Sequence, residues 1–268
     1  MWATYRDSLK EIGGRTVLIV LVVLALIIGL MFTSRVRFGE VNGIDVVYQG
    51  PISMGPWPMA VPNVMSQLTQ FSGMAWIILM IFTGCPLFVA SLEKGWRELT
   101  FSKGTPRWQI LLGRYLATCT LYALLVLMTD LPMALRFWVH TGIPTWPVLI
   151  SIMIQTCAFA ALLAVGALVS LGGENVAVPI IMPVGLVMLS QYLMGRAALY
   201  EDYITSEWLR TAIDWLYYIV PKIMELQFAA ASFVQTSSLA SSWPLWTTGV
   251  FTLATMTLTL WLLERKSF

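Results

Sequence analysis

Residues 91–108 form a charged, amphipathic island between two long apolar stretches. Glu93, Lys94, Arg97, Glu98, Lys103 and Arg107 crowd into it, although the chain is 58% hydrophobic and only 11% charged. A charge at the centre of a membrane helix costs about 2.5–3.5 kcal/mol. The island therefore belongs in water, on one side of a membrane that the flanking stretches cross. Its apolar members, Leu92, Trp96, Leu99 and Phe101, suit a docking surface better than a bare solvated turn.

A chain of 268 residues with this apolar content reads as an all-α polytopic membrane protein, one transmembrane domain over 1–268. The net charge of +2 gives no reason to expect a nucleic-acid partner. Cys85, Cys119 and Cys157 all fall in apolar stretches with no Cys-x-x-Cys pair, and read as small buried residues. The N-terminal apolar run lacks a small-residue cleavage site and leads into further spans, so it reads as a retained helix.

Six spans are expected at about 16–32, 71–90, 108–131, 146–171, 176–194 and 245–263. Before the first, Trp2, Tyr5, Leu9 and Ile12 recur at helical spacing, with Arg6, Asp7, Lys10 and Glu11 on other faces. That pattern predicts an amphipathic helix in the membrane interface. Asn42-Gly43 suits a two-residue turn, so residues 36–48 read as a small β-hairpin. Pro51, Pro56, Pro58 and Pro62 predict an irregular segment over 50–62. Residues 195–243 are too polar to cross cleanly. Their stripe of Trp208, Leu209, Ile213, Leu216, Tyr217 and Val220 predicts one or two helices on or dipping into the outer interface, broken at Pro221.

Six spans place both termini on one side. Arg6, Lys10, Arg15, Lys94, Arg97, Lys103, Arg107, Arg114, Arg265 and Lys266 share it. Arg35, Arg37, Arg136, Arg196, Arg210 and Lys222 are spread over longer loops opposite. Positive charge thus favours cytoplasmic termini and a cytoplasmic 91–107 loop in a cell membrane. Trp57, Trp138, Trp146, Trp208, Trp215, Trp243 and Trp246 then fall mostly near the outer boundary, as an aromatic belt requires.

The chain has no Gly-x-x-x-x-Gly-Lys-Ser/Thr run, so any ATPase that drives it is another polypeptide. His140 is the only histidine, and near Gly142 and Pro144 it reads as an outer-loop residue, which excludes two-histidine zinc-protease helices. The middles of the spans read as free of ionisable groups: Asp130 is expected at the outer end of span three beside Pro132, and Arg114 is expected to snorkel back to the cytoplasm. An ion-coupled carrier is thereby disfavoured. Pro86, Pro132, Pro179 and Pro183 are helix-bending positions. Ala158, Ala160, Ala161, Ala164, Gly166 and Ala167 let another helix approach span four closely.

The residue order of the charged island resembles the first cytoplasmic loop of ABC transporter permeases of the type two exporter superfamily, the multicopper-enzyme-maturation group among them. Glu93, Gly95, Glu98-Leu99, Ser102-Lys103 and Arg107 match that loop, and Ile110-Leu111-Leu112-Gly113-Arg114-Tyr115 matches its close. Trp96 stands where threonine is usual and Gly104 where proline is usual. The resemblance implies a prokaryotic, non-catalytic transport subunit that pairs with a second permease copy, by homodimer or heterodimer, over ABC ATPase subunits. It implies no cofactor in this chain, with ATP and Mg on the ATPase, and an elbow helix at the N-terminus. It makes the loop a coupling helix, with Glu93, Glu98, Lys103 and Arg107 in polar contact and Trp96, Leu99 and Phe101 as the apolar anchor. The alternative reading is a non-transporting membrane anchor or sensor that recruits the same kind of ATPase.

Overall fold

In hydrocarbon a backbone amide has no water to bond, so long apolar runs close their hydrogen bonds internally as helices. The computed structural model describes residues 2–13, 16–41, 43–92, 106–172, 175–202, 204 and 206–265. The chain begins with α1 (Trp2–Gly13) and α2 (Thr16–Arg35), then strands β1 (Val36–Val41), β2 (Ile44–Gln49) and β3 (Ile52–Pro56). Three long helices follow: α3 (Trp57–Leu92), α4 (Arg107–Thr141) and α5 (Pro147–Ser170). Then come α6 (Ala177–Met194), α7 (Arg196–Asp202), α8 (Glu207–Ile219), α9 (Ile223–Thr236) and α10 (Trp243–Arg265). Of these α2, α3, α4, α5, α6 and α10 are long and apolar enough to cross a membrane. The chain is a multi-pass helical membrane protein.

Helix α5 is the hub, packed against α3, α4, α6, α9 and α10. Its Ala158, Ala161, Ala164 and Ala167 are wholly buried, as the small-residue stripe requires. Helices α2, α6 and α10 are peripheral and turn Ile19, Leu30, Ile181, Met188, Val250 and Leu253 outward. Buried hydroxyls bond back to their own helices, Thr118 to the Arg114 oxygen at 2.8 Å and Thr259 to that of Thr255 at 2.7 Å. This keeps polar atoms satisfied without water.

Helices α3 and α4 run antiparallel. The Arg114 guanidinium donates to the Leu87 carbonyl at 2.6 Å, and Trp76 Nε1 donates to Thr129 Oγ1 at 2.9 Å. Leu92 and Arg107 therefore lie at one end of the bundle, with the sheet at the other. At 36 and 35 residues, each helix is about 50 Å long, well beyond the ~30 Å of hydrocarbon. The surplus turns carry the sheet: Phe38 of β1 stacks on His140 at 4.6 Å and meets Phe137 and Trp57 edge-on. The α1 helix forms as expected and lies along α4, where the Tyr5 hydroxyl reaches Thr120 Oγ1 at 3.1 Å.

Several expectations are corrected. The hairpin gains a third strand, with order β1-β2-β3 and a bulge at Val47/Tyr48, while Val41↔Ile44 keeps the two-residue turn. The 50–62 segment is not irregular. It holds β3 and the first turns of α3, where Pro58 falls where no helical N–H is needed. Helix α4 does not stop near 131 but continues through Pro132 to Thr141, so His140 sits in its last turn rather than a loop. Arg114 is 4% exposed and bonded inward instead of snorkelling. The segment 195–243 breaks at Pro221 as expected, but α9 does not lie on the interface: Ile223, Leu226, Gln227 and Ala230 are fully buried against α3 and α5. Cys85 and Cys119 are buried, whereas Cys157 is exposed.

Candidate functional site

The proposed docking residues Glu93, Gly95, Trp96, Glu98, Leu99, Phe101, Ser102 and Lys103 lie outside the described residues. Arg107 is described; it opens α4 and is half-buried. The structure thus defines the two helix ends that hold the segment, 14 residues joining Leu92 to Arg107.

A second centre was not anticipated from the sequence. In the interior, α3 contributes Thr69, Ser72 and Gly73, α4 contributes Tyr122 and Asp130, α5 contributes Gln155 and α9 contributes Gln227. Thr69, Tyr122, Asp130, Gln155 and Gln227 are all 0% exposed. Gln155 Nε2 donates to the Thr69 carbonyl and the Tyr122 hydroxyl to that of Gly73, each at 3.2 Å. Ser72 and Thr69 turn their hydroxyls towards Asp130, and Tyr122 faces both Asp130 and Gln227. Neither Asp130 oxygen closes a hydrogen bond, however, and Thr69 Oγ1, Gln155 Oε1 and both polar atoms of Gln227 are also unpaired among the described residues. The glycine matters here: a Cβ on Gly73 would overlap the side-chain oxygens of both Gln155 and Gln227. Its bare Cα lets the two amides converge.

This corrects the expectation of a span interior free of ionisable groups, and removes the argument it gave against ion binding. Asp130 looked terminal because Pro132 looked like a helix stop, and Gln227 lay in a stretch too polar to be read as interior. The available signal was a carboxylate within an apolar run, together with a glutamine, Gln155, in the middle of the next.

A third cluster sits at the sheet end and fixes α7, α8 and α9 to the end of α6. The Arg196 guanidinium lies 3.6 Å from the Tyr217 ring centre, and the Lys222 ammonium lies 3.5 Å from the same ring. Lys222 also donates to the Tyr217 carbonyl. Arg196 pairs with Asp214 at 3.2 Å, and the Tyr200 hydroxyl donates to Asp214 at 2.8 Å. Burial, followed by the neighbouring Glu225, pushes the Tyr217 phenol up to about 12, against the opposing pull of Arg196. Burial lowers Lys222, with Arg196 adding to the effect and Glu225 opposing it. Each partner has another partner within this network, which marks it as a structural clamp.

Among the described residues no three His, Cys, Asp or Glu side chains converge on one point. The fold and its interior define a multi-pass helical membrane protein with a sealed polar centre. No protein family and no curated protein matches the chain.

Proposed function

We propose that this chain is the membrane-spanning subunit of an ATP-driven ABC exporter. It works beside a second permease copy, with the translocation path between them and separate ATPase subunits on the cytoplasmic side. The 91–107 segment is the coupling element. When the ATPases close on ATP, they press on this segment and tilt the helices that flank it.

One observation supports this reading above the rest. Residues 93–106 join the ends of the two longest helices, and those helices are bonded to each other along their length by Arg114–Leu87, Tyr122–Gly73 and Trp76–Thr129. A push at the segment would reach the interior through rigid elements rather than be lost in a slack loop. The resemblance of Glu93, Gly95, Glu98-Leu99, Ser102-Lys103 and Arg107 to the permease loop supports an ABC ATPase as the partner.

The test is ATPase co-purification and substrate-stimulated turnover at matched membrane levels. Glu98→Arg reverses a charge against the partner, a clash that costs several kcal/mol at a desolvated interface. Trp96→Ala removes the anchor, at about 2 kcal/mol or more. Glu207→Arg, at the exposed start of α8, serves as the control and has little effect. Full assembly and turnover in both loop variants would refute the coupling role.

A further inference from the structure

We propose that the interior centre binds one monovalent alkali cation, held by the Asp130 carboxylate and the side-chain oxygens of Thr69, Gln155 and Gln227. The first argument is the balance of donors and acceptors. Five buried oxygens are unpaired in this centre: two on Asp130 beside the one on Thr69, and one each on Gln155 and Gln227, which converge at Gly73. Against them stand the unpaired amide nitrogen of Gln227 and the hydroxyl hydrogens of Thr69 and Ser72, the latter shared with the Thr69 carbonyl. Exchanging the Gln227 oxygen and nitrogen keeps the same atoms in the count but turns the nitrogen towards the Gln155 oxygen, which leaves the Asp130 carboxylate as the group still in want of a positive partner. Gln155 is fixed, because its nitrogen is engaged by the Thr69 carbonyl and its oxygen must point at Gly73.

The second argument is charge. Asp130 is fully buried and forms no ion pair with a described residue. An unpaired carboxylate in low dielectric is strongly unfavourable. One single positive charge, on a monovalent cation or a proton, neutralises it, whereas a divalent ion would leave a net buried charge. The third argument is ligand type. Carboxylate, amide and hydroxyl oxygens are hard ligands suited to alkali and alkaline-earth ions, and the centre has no imidazole or thiolate. Water alone satisfies hydrogen bonds but leaves the charge in place.

The ligands come from α3, α4, α5 and α9, so the cation would pin α9, which makes no transmembrane crossing of its own, to three spans. This inference does not depend on the ATPase partner, and it is tested on the purified full chain alone.

The experiment measures thermal unfolding in detergent in sodium, potassium and N-methyl-D-glucamine chlorides at equal ionic strength, together with binding of radioactive sodium and of a potassium tracer. The expected result is a rise in Tm of about 5 °C or more in saturating sodium or potassium over the organic cation, with one ion bound per chain. Comparing the two salts identifies the ion. Asp130→Asn is expected to abolish both the rise and the binding, while unfolding no earlier than the parent chain in the organic cation. Gln227→Met, which keeps volume and removes the oxygen, is expected to weaken binding by about tenfold or more, and decides the matter if the Asp130 variant does not fold. The proposal is overturned if neither alkali ion raises Tm, or if the variants that fold bind the ion as tightly as the parent chain. It is also overturned if acidification alone reproduces the stabilisation and no alkali ion binds, because the centre then holds a proton or water only.

Discussion

Gly29 of α2 lies directly against the main-chain oxygen of Thr129 in α4: a Cβ there would stand 2.7 Å from that oxygen and 3.2 Å from the oxygen of Met128. The Met128 carbonyl is the one left without a helical donor, because residue 132 is proline and has no N–H. Glycine on the neighbouring span brings a bare Cα to the opened turn, where weak C–H···O contacts replace part of what was lost. Helices α5 and α6 repeat the arrangement. A Cβ on Gly166 would stand 3.4 Å from the oxygen of Pro179, whose helical donor would have been Pro183. A neighbouring glycine thus lies against each of these two carbonyls, and both helices run on through their prolines.

Gly29→Ala is therefore expected to destabilise the bundle by about 1–3 kcal/mol, because the obstacle is backbone and has no rotamer in which to retreat. Gly249→Ala in α10 meets nothing within 4 Å and is expected to be neutral or stabilising by up to about 1 kcal/mol. Thermal unfolding of the two variants in one detergent compares them. Equal Tm values would show that the α2–α4 contact is not tight.

The Trp76–Thr129 bond joins α3 to α4 beside the polar centre, with Trp76 only 1% exposed. A double-mutant cycle of Trp76→Phe and Thr129→Val is expected to give a coupling energy of about 1 kcal/mol, the net worth of one buried neutral hydrogen bond. Additive effects within error would mean that the indole finds no partner there.

The proposed sidedness rests on the Lys and Arg distribution. With Cys85, Cys119 and Cys157 replaced, a cysteine at Lys103 is expected to resist an impermeant thiol reagent applied from outside. One at the exposed Asp45 of β2 is expected to react. The reverse pattern would invert the topology and remove the coupling segment from the ATPase side.

Alkaline titration reports on the Tyr217 clamp. Its folded phenol is raised from the ordinary 10.0 to about 12, so the folded state holds this proton more tightly than the unfolded state. Its stabilising contribution is fully present below pH 10 and is lost as pH climbs towards 12. Tyr217→Phe is expected to remove one late-titrating phenol from the tyrosinate absorbance curve and to flatten the loss of stability over that window. An unchanged curve would place Tyr217 in water.

Six long apolar helices, the turn between Val41 and Ile44, the amphipathic α1 and the break at Pro221 were legible along the chain. Each follows from a local rule: hydrocarbon demands an apolar helix of a certain length, water demands charge, and proline or glycine marks a backbone break. Packing between helices settles instead that α4 passes Pro132, that Asp130 and Gln227 are both buried rather than at the surface, and that Arg114 turns to Leu87. The physical reason is that a span presents apolar side chains to lipid and to protein alike, so the pattern along one helix does not mark its inward face. Whether a helix runs on through a proline depends on what packs against the opened turn, a glycine of another span at Pro132, and whether a carboxylate is buried depends on which helices stand across from it.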